Sequence, residues 1–245
     1  MRILITNDDG IHSEGIQILA AWARRFGEVT VIAPLVEQSA KSQSINIHTP
    51  FPVKKVDFPY GIPAYGVDST PADCIRIADT GLYLSYDMVF SGINRGLNVG
   101  WDIVYSATCG AIFEAAYSGK KAVAFSTTPE GFQAAEESLD RVWDYIEAHR
   151  LLSVTDLLNV NIPQEKGDIY WTRQAGPYFR DTYESRGGEL LQAVGHSVYQ
   201  GTRNLDLDLD VVMNGGISIS PLTVSRTDVT AYQQIRRELG ERKKA

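Results

Sequence analysis

Arg2-Ile3-Leu4-Ile5-Thr6 runs straight into Asn7-Asp8-Asp9-Gly10, and this junction decides the fold. A short apolar β-type run ending in carboxylates and a glycine reads as a buried strand that delivers polar groups to the end of a sheet. Ile16, Leu19, Ala20, Ala23 and Phe26 then recur at helical spacing, and Gly27 stops that helix. Val29-Thr30-Val31-Ile32-Ala33 is a second strand, halted at Pro34. Strand, helix, strand within the first 34 residues is the opening of an open parallel sheet with helices on its faces.

The alternation continues. Strand-like pieces lie at 51–56, 64–67, 87–90, 122–126 and 157–161, and a helical pattern covers 131–149. Two helices are expected to begin at Thr70-Pro71, where Thr caps and Pro takes the first turn, and near Ser106. Between strands, 35–50 is polar and rich in Ser and Gln; a connection of that length in a compact domain points to function. Beyond Pro163 the texture changes. Ile169 to Arg173, Leu190 to Val194 and Ser197 to Tyr199, with Gly187-Gly188 among them, read as antiparallel hairpins. A last strand is expected over 217–224 and a last helix over 227–240. The basic residues Arg236, Arg237, Arg242, Lys243 and Lys244 suit the negative end of that helix dipole better than a binding patch.

Composition narrows the function. The 245 residues are 44% hydrophobic and 22% charged, ordinary for a globular chain. A net charge of -7 argues against a protein that grips nucleic-acid polymers by neutralising phosphates. Cys74 and Cys109 cannot build a disulfide framework, which favours a reducing compartment. The apolar run Ile3–Ile5 is too short for an export signal or a membrane span, so a cytoplasmic protein is expected.

Ligands of such sheets sit beyond the carboxyl ends of the strands. Three polar clusters fall there: Asp8-Asp9, the loop holding Glu37-Gln38-Ser39, and Ser91 to Gly100. Adjacent carboxylates repel unless a cation lies between or beside them, and a hard divalent ion prefers oxygen partners. Asp8, Asp9, Ser39 and Asn94 make such an all-oxygen set. Asp8-Asp9-Gly10 also reads as a turn that caps the following helix. Gly92, Gly96 and Gly100, with Asn94 and Asn98, look unsuited to strand or helix and suit a loop that approaches a ligand. Ser106-Ala107-Thr108 at a helix start offers hydroxyls and free amides to an anion. Other arrangements fail. Gly-x-Gly-x-x-Gly and Gly-x-Ser-x-Gly are absent, and Gly119-Lys120 lacks the first glycine and the final hydroxyl of a P-loop. The histidines have no zinc spacing, although His12 is close in sequence to the aspartates.

Four blocks, in order, carry a resemblance: Ile3 to Ile11, Glu37-Gln38-Ser39, Thr70-Pro71-Ala72-Asp73-Cys74, and Ser91 to Asn98. Trp171 to Gln174 and Gly216 to Leu222 continue it weakly. Together they resemble the SurE family of metal-dependent nucleotidases. The resemblance implies a Rossmann-like α/β core over 1–130 within a single domain, 1–245, a hairpin extension over 163–213, and exchange of elements within a homodimer or homotetramer. It implies one divalent ion per subunit, Mg²⁺ or Mn²⁺, on Asp8, Asp9, Ser39 and Asn94. It further implies hydrolysis of nucleoside monophosphates, at the 5′ and also the 3′ position, and of polyphosphate. Asp8 and Asp9 would then be catalytic, and Asn98, Ser106 and Thr108 would hold the phosphate. Two positions depart from the family's glycines, Ala40 and Ala107. If Ala107 needs a glycine conformation, a nucleotide or metal sensor without turnover is the alternative. An aspartyl-nucleophile phosphatase is disfavoured, because that chemistry places Asp-x-Asp after the first strand and here the carboxylates are adjacent.

Overall fold

The computed structural model describes residues 1–239. Arg2–Thr6 (β1) sits near the middle of a nine-stranded sheet, flanked in parallel by Glu28–Pro34 (β2) and Met88–Arg95 (β5). Beyond β2 come Ala64–Val67 (β4), parallel, and Val53–Lys55 (β3), an antiparallel edge. On the other side, β5 is followed in parallel by Lys121–Thr127 (β6) and Leu157–Ile162 (β7). The chain therefore winds outward from β1 in one direction, then returns to add β5 on the opposite flank. The reversal lies between β1 and β5, the switch point at which open α/β sheets bind ligands.

β1 shows why the sheet needs cover on both faces. Ile3 and Ile5 enter one apolar layer and Leu4 the other, all essentially inaccessible. Glu14–Ala23 (α1) and Phe132–Ala148 (α4) close the first layer. In α4, Phe132, Ala135, Leu139, Val142, Trp143 and Ile146 form the inward stripe at helical spacing. α1 and α4 are fastened by Asp140, which accepts from the Trp22 indole at 2.9 Å and from Arg25 at 2.8 Å. Pro71–Arg76 (α2) and Ala107–Tyr117 (α3) close the opposite layer, capped by Thr70 and Ser106 as their residue types require.

The C-terminal region departs from the sequence reading in two respects. Ile169–Trp171 (β8) is no part of a hairpin. It pairs in parallel with Ile217–Leu222 (β11), which lies antiparallel to β7, so β8 becomes the far edge of the main sheet. The hairpin is made instead by Phe179–Ser185 (β9) and Leu191–Ser197 (β10), turning at Gly187 and Gly188 with positive φ, and it stands apart as an exposed two-stranded ribbon. Asp208–Met213 (α5), a short helix, was not anticipated. Val229–Glu238 (α6) is the expected last helix; position 240 and Arg242, Lys243 and Lys244 lie outside the described residues.

The 35–50 connection contains no helix or strand but is tied down along its length. The Gln38 amide donates to the Asp8 carbonyl, Ser42 donates to the Tyr105 and Val104 carbonyls, and Gln43 donates to Glu114. The Thr70 hydroxyl donates to the Ser44 carbonyl and the Asn46 amide to Asp73. Ala40 and Ser42 adopt left-handed backbone there, with φ of 59° and 54°.

Two backbone positions give direct tests. A Cβ on Gly15, in the first turn of α1, would land on the Ile93 carbonyl of β5. Gly15→Ala is expected to destabilise by about 1–3 kcal/mol in denaturant melts. Ala40→Gly relieves a left-handed alanine and is expected to stabilise by about 1 kcal/mol.

Candidate active site at the ends of the first and fifth strands

Asp8 follows β1 directly, and only 4% of it is exposed. Neither aspartate caps α1, whose N-cap is Ser13; the Asn7 amide stiffens the turn by donating to the Gly10 carbonyl and the Ser13 hydroxyl. The Thr108 hydroxyl donates to Asp8 Oδ1 at 2.6 Å. Burial pushes the Asp8 carboxyl up to about 6; the Thr108 hydrogen bond opposes this, and the charges of Asp9 and Glu37 add to it. Asp9 is half-buried and accepts from the Arg95 amide at 3.0 Å through Oδ2. Its carboxyl is also raised, first by burial, against that amide bond, with Glu37 pushing the same way. Asp8 and Asp9 thus share a recess that feels the charge of exposed Glu37 and, at Asp9, the opposing charge of Arg95, and no lysine or arginine forms an ion pair with the three carboxylates among the described residues.

Ser39 is exposed on the anchored loop and donates its proton to Glu37 at 2.6 Å, which leaves its lone pairs to ligate. Asn94 ends β5. Its side-chain nitrogen donates to the Gly96 carbonyl at 2.7 Å, so Oδ1 is the atom left to bind a cation. No cluster of three His, Cys, Asp or Glu side chains suited to a metal occurs among the described residues. A cation here would rest on two carboxylates completed by amide and hydroxyl oxygens, the donor set of a hard ion and not of zinc. An unpaired carboxylate recess with oxygen donors fits a divalent ion.

β5 brings Asn94 into place by a route the sequence argued against. The strand continues through Gly92 to Arg95, where glycines had suggested a loop. From Ser91 to Asn94 β5 advances three residues while β6 advances two, from Ala124 to Ser126. This is a β-bulge, a common device for re-aiming side chains beside a site. Gly92 belongs in it because a Cβ there would strike the Phe125 carbonyl of β6.

The start of α3 completes the recess. Ser106 Oγ accepts from the Cys109 amide at 3.0 Å, while the Ala107 and Thr108 amides have no acceptor inside the helix. Capping therefore accounts for Ser106, and Thr108 is turned to Asp8. Ala107 is buried with helical backbone, so it needs no glycine; Ala40 is the family-glycine position that does carry positive φ. The Asn98 amide nitrogen donates to Ser126 Oγ at 2.8 Å. His12 is exposed, and its ring bonds to neither aspartate. Sequence reasoning missed the Thr108–Asp8 bond, and with it Ser126, Asn159 and Asn161. Two asparagines alternating with Leu158, Val160 and Ile162 in a buried strand were the available signal, since Asn is depleted in strands.

Comparison with known proteins agrees with this fold. Residues 3–181 match the family model described as survival protein SurE. The chain is 34% identical to the 5'-nucleotidase SurE of Clostridium botulinum (strain ATCC 19397 / Type A), over 96% of this chain and 97% of that protein. It is also 34% identical to the 5'-nucleotidase SurE of Legionella pneumophila subsp. pneumophila, with 98% of each covered. The crystal structure of the SurE protein from Aquifex aeolicus superposes with a TM-score of 0.81 at 26% identity, covering 98% of this chain and 100% of that one. With its switch-point carboxylates, its anchored loop and a match along nearly its whole length, this chain belongs to the SurE family.

Proposed function

We propose that the protein hydrolyses nucleoside 5′-monophosphates to nucleoside and phosphate, assisted by one divalent ion, Mg²⁺ or Mn²⁺, on Asp8, Asp9, Ser39 and Asn94. The observation that carries this reading is the buried Asp8 carboxylate, faced by Asp9 and Glu37 and hydrogen-bonded to the start of α3. The activity printed for the relatives supports it.

Such an ion supplies Lewis acidity that polarises a phosphoryl oxygen and makes nearby water a stronger acid. The chain's own groups do the rest. The Thr108 hydroxyl fixes the rotation of the Asp8 carboxylate. The Ala107 and Thr108 amides, Ser106 and the Asn98 side chain bind the phosphate oxygens and stabilise charge as it grows. Asp9 Oδ1, which the Arg95 amide leaves open, accepts the proton of the attacking water. The water oxygen bonds to phosphorus as the bond to the nucleoside oxygen breaks, and the leaving oxygen takes its proton from solvent water. A groove of about 740 Å³, lined by Trp101, Asp102, Val104 and Tyr105 of the segment that precedes Ser106 and by Phe179 and Arg180, has room for a nucleoside. Helical Ala107 keeps its amide as a donor, so the departure from the family glycine leaves the phosphate-binding helix start intact.

The same reading makes 1–245 one domain acting in the cytoplasm as a homodimer or homotetramer. Its contacts are the hairpin within 163–213 and α6, where Val229, Tyr232 and Ile235 are each more than half exposed. No helix among the described residues is long and apolar enough to cross a membrane.

Phosphate release from adenosine 5′-monophosphate is expected to stop on chelation and return with Mn²⁺; turnover insensitive to chelator would refute the scheme. Asp8→Asn removes a ligand and a buried charge together. It is expected to cut kcat by at least about a hundredfold while raising the melting temperature of the metal-free protein near neutral pH. Stability should follow pH in a defined sense. The folded Asp8 carboxyl holds its proton up to pH about 6, above its ordinary range, so its contribution is full below that ordinary range and is lost as pH rises through about 6. Added Mn²⁺ is therefore expected to raise the melting temperature more at about pH 7.5 than at about pH 5, where protons compete; equal shifts would contradict it.

A further inference from the structure

β7 alternates its side chains between the two apolar layers. Leu158, Val160 and Ile162 enter the α1 and α4 layer, and Leu157 enters the other. Asn159 and Asn161 therefore project toward the α2 and α3 layer, and both are completely buried. Amides in such positions weaken a core unless every donor and acceptor is used.

Here the partners come from the candidate site. Asn161 Oδ1 accepts from the Asn98 amide at 2.8 Å, and Asn161 Nδ2 donates to the Asn98 carbonyl at 2.9 Å. Asn159 Nδ2 donates to that same carbonyl at 2.8 Å. Asn159 Oδ1 receives the Cys109 thiol at 3.7 Å, and Cys109 is the third residue of α3. Burial pushes that thiol up to about 12, so it keeps the proton it donates. Asn98 is also held by its own amide on Ser126 of β6.

We infer that Asn159 and Asn161 are positioning residues that fix the Asn94–Asn98 segment at a set separation from the start of α3. Both main-chain polar groups of Asn98 are gripped from β7, and Asn159 touches the loop with one end of its amide and the helix with the other. Together with the Thr108–Asp8 bond, this makes a closed circuit. It runs from Asp8 through Thr108 and Cys109 to Asn159, on through Asn98 to Asn94 and Arg95, and closes where the Arg95 amide donates to Asp9. The carboxylate half of the cation site and its amide half are thereby held in register by side chains that touch neither cation nor phosphate. The inference deepens the metal-assisted phosphatase reading and rests on it.

The test compares Asn161→Ala and Asn159→Ala with Leu158→Ala, a cavity-forming change on the same strand that faces the opposite layer. Three quantities are measured on the full chain: Mn²⁺ affinity by calorimetric titration with the metal alone, kcat on adenosine 5′-monophosphate at saturating Mn²⁺, and melting temperature. The asparagine variants are expected to lose about 10- to 100-fold in Mn²⁺ affinity and in kcat. Leu158→Ala is expected to melt at least as early while keeping both within about twofold. Asparagine variants that only melt earlier, as Leu158→Ala does, would overturn the inference. If Asn161→Ala does not fold, Asn161→Ser is read by the same criteria. Wild-type protein that binds Mn²⁺ but releases no phosphate would overturn the nucleotidase reading instead, and weakened Mn²⁺ binding in the variants would still support the clamp.

Discussion

The structure depends on holding one carboxylate where water cannot solvate it. Asp8 sits at the reversal of strand order, between β1 and β5, with two further carboxylates nearby and a single hydroxyl donor on Oδ1. Moving a charge out of water is costly, and adding like charges makes it more so. The fold tolerates this because the surrounding segments are bonded to one another. The 35–50 loop is fastened to Asp8, to the turn before α3 and to the start of α2, and β5 donates an amide to Asp9. The recess is rigid from several directions, so its carboxylates cannot swing apart to relieve their repulsion. Stability has been given up locally for a strongly negative recess.

That constraint explains how the rest of the sheet is used. The strands nearest the site carry alternating apolar residues into two helical layers, and the aromatic group of Trp22, Phe90, Phe125 and Trp143 makes the α1 and α4 side dense. The opposite layer is different in kind. Near the site it holds buried polar groups, Thr108, Asn159 and Asn161, among small residues such as Ala107 and Cys109. One face supplies cohesion; the other supplies placement.

Much of this was legible in the sequence, and the limits are informative. Asp8, Asp9, Ser39 and Asn94 could be grouped as a candidate set because Asp8, Asp9 and Ser39 follow strands, Asn94 lies near the carboxyl end of one, and metal chemistry asks for oxygen atoms. The caps Thr70 and Ser106 were legible because capping is a local interaction. The path of β5 through Gly92 was not. Glycine argues against a strand on average, whereas here the bulge and the Phe125 carbonyl decide, and both belong to neighbouring strands. Ile169–Trp171 was assigned to a hairpin because alternation fixes strand character but not partner; the partner is β11, nearly fifty residues on. The role of Thr108 was equally hidden, since its bond to Asp8 joins positions a hundred residues apart.

The extra residue in β5 also sets a phase. Upstream of Ser91 the strand's inside and outside follow the count from Met88, and from Asn94 onward they follow a count displaced by one. Without the bulge, three regular steps from Ser91 would turn Asn94 to the opposite layer; the bulge keeps both residues on the face of their partners Ala124 and Ser126. The stretch is thus constrained twice, by an odd count of steps that needs the bulge and by Gly92, which makes room for it.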